Sequence, residues 1–468
     1  MGLLQPGMHI HLIGIGGAGL SAIARVLHGW GYRVSGSDRQ ASALTEALAA
    51  EGIAVSIGHR AEQVAGADLV VVSSAVPADN PEVVEARRRG LPVVKRERFL
   101  ADLTAGKRTL AVAGTHGKTT TTAMIAWVLL EAGLDPTFVV GGVLQNLGTN
   151  ARAGHGPYFV IEADEYDRAF LGLRPAVAVI TALEHDHPDC YPTFAEVRRA
   201  FTAFVERLTS DGRLIVCGED EEAGRLGREA GRPLETYGFD AAWDWQARGS
   251  ALGHHAAFEV WHGGGRLGTC ALQLPGRHNV LNALAALAAT AQVGVEFGVA
   301  AAALTRFQGT KRRFEVKGQA GGVVVVDDYA HHPTEVRATL DAARLKYPGR
   351  PIWAVFQPHT YSRTAALMDD FAHAFGQADH VIVTAIYAAR EKPLPGVSGA
   401  ALAARIAHAD VRAVETLDEA TALLLREVQP GDLVITLGAG DGYLIGERLL
   451  AARRGEVNRE GAKSAEER

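Results

Sequence analysis

Short runs of β-branched and aliphatic residues alternate with longer alanine- and leucine-rich stretches along almost the whole chain. The short runs predict buried strands, and the stretches between them have the spacing of apolar residues that is typical of helices. Strands that alternate with helices indicate βαβ units and largely parallel sheets. The predicted fold class is therefore α/β.

The same pattern divides the chain into three blocks, with predicted domains over residues 1–105, 106–314 and 315–452. A polar, glycine- and tryptophan-bearing patch over residues 236–275 predicts antiparallel strands inside the second block. Two packed helices are predicted over residues 282–304. The charged segment 453–468 has no apolar period, so we expect it to be a disordered tail.

Composition and charge exclude several classes of protein. The 468 residues are 47% hydrophobic and 21% charged, which is typical of globular domains with sizeable cores. A net charge of −6 gives no electrostatic reason to expect a nucleic-acid partner. The three cysteines show no metal-binding spacing, and neither a signal peptide nor a membrane span is predicted. These features favour a cytoplasmic location.

Residues 110–122, LAVAGTHGKTTTT, place a lysine between a glycine and a threonine where a predicted strand passes into a helix. Unpaired N–H groups and the helix dipole favour an anion at such a point. Gly114 and Gly117 let the backbone approach a phosphate, Lys118 adds a positive charge, and the Thr119 hydroxyl suits Mg²⁺. A standard P-loop has glycine where this chain has Val112, so we predict a shortened phosphate loop.

A second glycine-rich turn, GIGGAG, follows the first predicted strand. Gly14, Gly16 and Gly19 fit the dinucleotide-binding spacing, and Asp38 ends the next strand near the position for a ribose contact. This spacing predicts a diphosphate without deciding for NAD, and a βα turn with no ligand is the alternative. Ser73 and Ser74 follow another strand and are either further contacts to the same ligand or a simple turn.

Acidic residues and histidines follow two strands of the second block. Glu162 and three further carboxylates come after YFVI, and a carboxylate there is the expected second support for Mg²⁺. A solvated acidic loop is the alternative, above all for Asp167. The sequence EHDHPDC has Cys190 where a metallohydrolase pattern would need histidine, so we favour His187 beside a second Mg²⁺ over a zinc site.

Asn279 is predicted either to cap a helix or, with Asn282, to bind an adenine edge. The basic cluster at residues 311–313 marks the boundary of the third block, where an arginine can reach a γ-phosphate as domains close. Three strand ends of the third block carry tyrosine, histidine, arginine and aspartate. We expect them to bind a small polar ligand such as an amino acid.

The motifs GTHGKTTTT, FVIEADEYD, GRHNVLNALAA, RRFE, DDYAHHPTEV, FQPHTYSRT and AIYAAREKP together resemble the Mur ligase family over residues 8 to about 450. The resemblance implies a three-domain architecture, with a Rossmann-like UDP-binding domain, a central P-loop ATPase domain and a Rossmann-like C-terminal domain that binds an amino acid.

With the N-terminal HLIGIGGAGLSAIA and VSGSD, the motifs look like the branch that joins L-alanine to the lactyl carboxylate of UDP-N-acetylmuramate. The resemblance implies ATP and Mg²⁺ as cofactors, an acyl-phosphate intermediate, and a place in peptidoglycan precursor synthesis. Attachment of a recycled murein tripeptide to the same sugar nucleotide is the alternative within the family. An NAD-dependent oxidoreductase is a distant alternative that leaves the phosphate loop and the third block without a purpose.

The resemblance also implies residue roles. UDP-sugar contacts would be Gly14, Gly16, Gly17, Gly19, Asp38, Ser73 and Ser74. ATP contacts would be Gly114, Thr115, His116, Gly117, Lys118, Thr119, Thr120, Asn279, Asn282, Arg313 and Asp327. Metal ligands would be Thr119, Glu162 and His187, and alanine contacts Tyr329, His331, His359 and Arg363. Catalytic residues would be Lys118, Glu162, His187, Arg313 and His331. The carbamylated lysine of several sister ligases is not expected, because PTFAEVRRAFTAF contains no lysine.

Overall fold

The computed structural model describes residues 3–253 and 255–466, with side-chain surroundings described as far as residue 455. The described residues do not include Met1, Gly2, His254 or residues 467–468. The start of the predicted first domain and the end of the predicted tail therefore lie outside them. The described chain forms three sheets, each covered by helices.

The first sheet has five parallel strands and four helices. The strands are β1 (His9–Ile13), β2 (Arg33–Asp38), β3 (Ala54–Ile57), β4 (Leu69–Val72) and β5 (Val93–Lys95). The helices are α1 (Ala18–Gly29), α2 (Ala43–Ala50), α3 (Pro81–Arg88) and α4 (Arg96–Leu103), with a short 3₁₀ helix at Ala61–Val64. The strand order is β3-β2-β1-β4-β5. The chain adds β2 and β3 on one side of β1 and then crosses to add β4 and β5 on the other side. Open α/β sheets bind ligands at such a switch point, which here lies between β1 and β4.

The second sheet has ten strands and lies at the centre of the molecule. Its strands are β6 (Arg108–Ala113), β7 (Thr137–Leu144), β8 (Thr149–Arg152), β9 (Tyr158–Glu162), β10 (Val177–Ile180), β11 (Arg213–Cys217), β12 (Leu234–Gly238), β13 (Trp245–Leu252), β14 (Ala256–His262) and β15 (Gly265–Leu272). Its helices are α5 (Lys118–Glu131), α6 (Phe194–Glu206), α7 (Glu221–Glu229), α8 (Arg277–Ala291) and α9 (Phe297–Thr305), with a 3₁₀ segment at Tyr166–Gly172.

The order of the second sheet is β15-β14-β13-β12-β11-β10-β6-β9-β7-β8. Strands β13, β14 and β15 pair antiparallel, which confirms the antiparallel patch predicted within residues 236–275. Helices α8 and α9 confirm the predicted helix pair. The phosphate loop follows β6, which lies between β10 and β9. The loop is therefore flanked by the ends of both neighbouring strands.

The third sheet has six strands in the order β16-β17-β21-β18-β19-β20. The strands are β16 (Glu315–Ala320), β17 (Val323–Asp328), β18 (Ile352–Phe356), β19 (His380–Val383), β20 (Val411–Ala413) and β21 (Leu433–Leu437). The helices are α10 (Pro333–Lys346), α11 (Tyr361–Ala366), α12 (Met368–Ala372), α13 (Gly399–Ala403), α14 (Leu417–Glu427) and α15 (Tyr443–Glu466). Only β16 runs antiparallel to its neighbour. Helix α15 continues through residues 453–466, where we expected a disordered tail; alanine, glutamate and arginine in this segment favour a helix even without an apolar face.

The first two sheets share apolar packing, whereas the third is joined to the second by polar contacts. One cluster of buried apolar residues runs from α1 into β7–β9 and the helices beyond them. Helix α1 lies so close to the second sheet that a Cβ on Gly29 would come within 2.6 Å of Ala153. The described apolar clusters of the third sheet contain no residue of the second. Hydrogen bonds and ion pairs break more easily in water than apolar packing, so this boundary is the one suited to opening and closing.

Candidate active site between the second and third sheets

The phosphate loop has the backbone geometry that its glycines predict. Gly117 precedes α5 in the left-handed region at φ +77°, and Gly114 has φ +134°. A Cβ on Gly114 would collide with Thr181, and one on Gly117 would come within 2.6 Å of Asn282 Oδ1. Both positions therefore require glycine, and the first N–H groups of α5 stay open toward the loop.

Lys118 folds over this loop and carries its charge inside it. Its Nζ donates to the carbonyl oxygens of Gly114, at 2.5 Å, and Thr115, at 3.2 Å, and lies 2.8 Å from Glu165 Oε1. Burial lowers the pKa of Lys118, but the carboxylates of Glu165 and Glu162 outweigh it and raise that pKa. Lys118 is therefore an ammonium ion inside the loop, and each of its three N–H groups has an oxygen acceptor.

Glu162, at the end of β9, faces Thr119 on the first turn of α5. Thr119 Oγ1 donates to Glu162 Oε1 at 3.0 Å, and the Gly141 N–H donates to Oε2 at 2.6 Å. A hydroxyl and a carboxylate oxygen so close together form the oxygen-rich donor set that Mg²⁺ prefers.

A cavity of about 300 Å³ extends from the phosphate loop between the second and third sheets. The cavity is lined by apolar and aromatic side chains, by two asparagines and by charged groups of both domains. Its lining includes His116, Thr119, Thr120, Glu184, Cys217, Tyr237, Leu274, Asn279, Leu281, Asn282, Arg313, Phe314, Asp328 and Glu335. The volume and this mixed apolar and polar lining suit a nucleotide.

The two asparagines lie inside α8, where they are buried and linked to one another. Asn282 Nδ2 donates to Asn279 Oδ1 at 3.2 Å, and Asn282 Oδ1 accepts from Thr121. Gly276, not Asn279, is the N-cap residue of α8, so the capping alternative is wrong. Both amides line the cavity, and their role at an adenine edge stays a prediction.

Asp327 and Asp328 point to opposite sides of β17, and the second of them lines the cavity. Asp327 is buried and accepts from Arg312 Nε at 3.0 Å and from Thr436 at 2.7 Å. Burial raises the pKa of Asp328 to about 6. Alternate strand residues face opposite ways, so Asp328 lies at the cavity and is a second candidate for the ribose contact, while the role expected for Asp327 stays a prediction. Arg313 lines the cavity as expected.

A second cluster lies where the loop after β10 meets the third sheet. Arg363 Nε donates to Asp186 Oδ1 at 2.7 Å across the boundary, and both side chains are nearly buried. His187, beside Asp186, has φ +55°, and its Nε2 lies 3.8 Å from Glu165 Oε1. Glu165 Oε2 is buried without a hydrogen-bond partner among the described side chains. His187 thus lies beside the Glu165 carboxylate, and its role as a metal ligand stays a prediction.

The residues expected to bind alanine come together at this cluster. His359 Nδ1 lies 3.0 Å from Arg363 NH1, and His331 Nε2 lies 4.0 Å from Asp186 Oδ2. The rings of Tyr329 and His331 are 5.4 Å apart. Burial lowers the pKa of His331 to about 3 and that of His359 to about 4, with the Arg363 charge adding to both shifts. Both imidazoles are therefore neutral at pH 7 and can accept hydrogen bonds.

Three acidic residues of this boundary have no role in the sequence-based prediction: Glu184, Asp186 and Glu335. Glu184 accepts from Thr334 Oγ1 at 2.8 Å, and His116 lies between Glu184 and Glu335 at 3.4 and 3.1 Å. Burial lowers the pKa of His116, but the hydrogen bonds to Glu184 and Glu335 raise it to about 9. Asp186 and Glu335 both have pKa values held well below the usual range despite burial, Asp186 by the charges of His187 and Arg363 and Glu335 by its hydrogen bond with the His116 imidazolium.

The glycine turn of the first sheet also has the predicted form. Gly14 has φ +85°, and the Gly16 N–H donates to Asp38 Oδ2 at 2.9 Å. A Cβ on Gly14 would come within 2.9 Å of Ser73, so the turn and the end of β4 are adjacent. Gly17 is the N-cap residue of α1, and Ser74 is exposed beside Ser73.

A smaller cavity, of about 110 Å³, leads from this turn toward the phosphate loop. Its lining includes Gly19 of the turn, Arg96 and Asp164, which pair at 2.7 Å, and Glu162. A molecule bound at the glycine turn can therefore extend one end toward the side chains that face the phosphate loop. None of the helices in the described part of the chain is long and apolar enough to cross a membrane.

The fold and these sites define an α/β nucleotide-binding protein in which a phosphate loop faces a second polar cluster on the next domain. Three family models match in order: Mur ligase family, catalytic domain, at residues 9–108; Mur ligase middle domain, at 112–290; and Mur ligase, glutamate ligase domain, at 312–440. The chain belongs to the Mur ligase family.

Relatives resemble the chain over nearly its whole length. It is 48% identical over 453 residues to the UDP-N-acetylmuramate–L-alanine ligase of Solibacter usitatus, covering 96% of each chain. It is 46% identical to the enzyme of the same name from Syntrophobacter fumaroxidans, covering 95% of this chain and 96% of that one.

Solved structures give the same family. UDP-N-acetylmuramate–alanine ligase of Thermotoga maritima superposes with a TM-score of 0.82 at 31% identity, covering 96% of this chain and all of that one. A murein peptide ligase of Psychrobacter arcticus gives a TM-score of 0.72 at 29% identity, covering 96% and 99%. The three-domain α/β architecture expected from the motifs is therefore confirmed.

Proposed function

We propose that this protein joins L-alanine to the lactyl carboxylate of UDP-N-acetylmuramate, with conversion of ATP to ADP and phosphate. The observation that carries the proposal is the meeting of three groups of residues. Lys118 and the phosphate loop lie between a cavity that leads from the glycine turn and the cluster of Arg363, His331 and His359. Such an arrangement suits three substrates that have to meet at one point.

The names of the most similar proteins support alanine as the substrate. Two relatives at 46–48% identity are UDP-N-acetylmuramate–L-alanine ligases. The murein peptide ligase of Psychrobacter arcticus resembles the chain less, by TM-score, than the alanine ligase of Thermotoga maritima. Attachment of a tripeptide is therefore the less favoured alternative.

Two magnesium ions complete the proposed site. Thr119 and Glu162 would hold one, since their oxygens lie 3.0 Å apart. His187 would hold the other, beside the unpartnered oxygen of Glu165. When bound, Mg²⁺ would neutralise phosphate charge and so reduce the repulsion between ATP and the carboxylate.

Activation of the carboxylate is the first chemical requirement, because a carboxylate is a poor electrophile. We propose that its oxygen attacks the γ-phosphorus of ATP, forming an acyl phosphate while ADP leaves. Lys118 and Arg313 would bind the charge on the transferred group, and the rate would depend on alignment of the two reactants.

Amide formation is the second requirement. The alanine ammonium group first loses one proton to solvent, and the free amine attacks the acyl carbon to form a tetrahedral intermediate. This intermediate loses a second proton from nitrogen, and phosphate departs with one of the former carboxylate oxygens. Arg363 donates one N–H to Asp186 and two to His359, and a fourth lies 3.4 Å from His187 Nδ1, so one N–H of the five stays available for the alanine carboxylate. The neutral imidazole of His331 donates from Nδ1 to the Tyr329 carbonyl, so its Nε2 would accept a hydrogen bond from the alanine ammonium group.

The proposal is tested by measuring the release of phosphate from ATP in the presence of UDP-N-acetylmuramate while the amino acid is varied. We expect release that requires L-alanine and is matched by one new amide for each phosphate. Tripeptide-dependent release would favour the alternative. Release without any amino acid would refute the ligase proposal, and binding of NADH would favour the oxidoreductase.

A further inference from the structure

We propose that His116, Glu184 and His332 form an inhibitory site for a borderline divalent cation such as Zn²⁺, which would fasten the phosphate loop to the third sheet. His116 lies in the phosphate loop, Glu184 follows β10, and His332 is the N-cap residue of α10. Their ligand atoms all lie within 4.8 Å of one another.

Two edges of this triangle already have the length that tetrahedral zinc requires. Zinc bonds of about 2.0–2.1 Å place neighbouring tetrahedral ligands about 3.3–3.4 Å apart. His116 Nε2 and His332 Nδ1 each lie 3.4 Å from Glu184 Oε2. Two imidazole nitrogens and one carboxylate oxygen form a common zinc donor set with one open position. Because His116 and Glu184 line the large cavity, that position is open to a water molecule or a phosphate oxygen.

The surroundings of the triad also fit a metal site. His116 Nδ1, the nitrogen turned away from the proposed ion, lies 3.1 Å from Glu335 Oε1. A carboxylate behind a ligating imidazole orients the ring and increases its basicity in metal proteins. His332 is only 4% exposed, and its Nε2 has no hydrogen-bond partner among the described residues. Its Nδ1 has only a long, 3.3 Å hydrogen bond from the Thr334 N–H, so a metal has a weak competitor there.

An ordinary ion-pair network is the competing interpretation of these contacts. His116 exists as an imidazolium between Glu184 and Glu335, and a metal must displace its proton. This displacement weakens binding without preventing it, because the two carboxylates attract the divalent ion as well. The ion would link residues of two domains whose boundary is otherwise polar, so we expect it to hold the domains together and slow turnover.

Binding is tested with zinc buffered by nitrilotriacetate and with Co²⁺, whose visible spectrum reports its coordination. We expect one Zn²⁺ per wild-type chain and a Co²⁺ spectrum of low coordination number. His332→Asn keeps a side-chain oxygen that can cap α10, and we expect it to bind Zn²⁺ at least about tenfold more weakly. Glu335→Gln removes the carboxylate behind His116, and we expect a loss of about 10- to 100-fold. His380→Asn is the matched control, since His380 pairs with Asp410 away from the site.

Inhibition is measured separately, at fixed Mg²⁺ and ATP, so that its failure can be distinguished from failure of the proposed reaction. We expect Zn²⁺ to inhibit the wild type and His380→Asn alike, and His332→Asn to stay active at the same free zinc. Absence of zinc binding by the wild type, or equal zinc binding by His332→Asn, would overturn the proposal. Equal inhibition of His332→Asn would do so too, because the ion would then act elsewhere, for example at His187.

Discussion

The ion pair between Asp186 and Arg363 is the contact across the domain boundary whose loss we can estimate best. The two side chains are 6% and 5% exposed, and Arg363 Nε lies 2.7 Å from Asp186 Oδ1. Asp186→Asn keeps an oxygen that can accept the His187 N–H, which now donates to Oδ1 at 2.7 Å. It removes the charge that balances the guanidinium group, and breaking a buried pair in this way costs about 3–5 kcal/mol.

The protein can avoid part of this cost by opening the boundary, which lets Arg363 reach water. The loss then appears as a smaller population of closed, active protein rather than as unfolding. With a factor of ten for each ~1.4 kcal/mol, we expect kcat/KM for L-alanine to fall by about 100- to 1,000-fold. The thermal unfolding midpoint should change little, because the apolar cores of both domains are untouched.

Steady-state kinetics with L-alanine as the varied substrate measure this effect. Asp369→Asn is the matched control: its partner Arg405 is 61% exposed and Asp369 itself 91% exposed. Such surface pairs contribute little, so we expect the control to stay within about twofold of the wild type. A kcat/KM for Asp186→Asn within about threefold of the wild type would refute the role given to this pair.

Three further predictions concern the nucleotide side of the site. Lys118→Ala should leave calorimetric binding of UDP-N-acetylmuramate unchanged and reduce turnover by at least about 100-fold, because it removes charge only at the phosphate loop; equal loss of both would contradict separate sites. Asn282→Ala should raise the KM for ATP about tenfold, for the loss of about 1–1.5 kcal/mol of hydrogen bonding, with an unchanged KM for alanine as the control. The pKa of His116 rises from 6.5 to about 9 on folding, so its ion pairs add up to about 3 kcal/mol to the free energy of unfolding below pH 6.5. This contribution is lost as pH rises through about 9. His116→Asn should therefore flatten the fall in stability between about pH 7 and 9.5, measured by denaturant unfolding, and an unchanged slope would contradict this.

Local sequence patterns predicted the phosphate loop and the glycine turn because their chemistry is continuous in the chain. Gly114, Gly117 and Lys118 have to be neighbours to make one loop, so their spacing alone reveals the site. The polar strand ends were equally predictable, since parallel strands bring their carboxyl ends to one edge. The motifs then indicated which family combines these features.

Side-chain direction and partners across the domain boundary were not predictable in the same way. Asp327 and Asp328 are adjacent and chemically identical, and only the register of β17 against β21 decides which one faces the cavity. Glu184 and Glu335 stand 151 positions apart, so no local pattern reveals that they enclose His116. Asp186 and its partner Arg363 stand 177 positions apart, so no local pattern reveals this ion pair either.

The transfer of carboxylate oxygen tests the central claim of this account most directly. UDP-N-acetylmuramate with oxygen-18 in its lactyl carboxylate would be converted with ATP and L-alanine, and the released phosphate analysed by mass spectrometry. The acyl-phosphate route predicts one labelled oxygen in each phosphate and one in each new amide. Unlabelled phosphate, with both labelled oxygens still in the carboxylate, would contradict it.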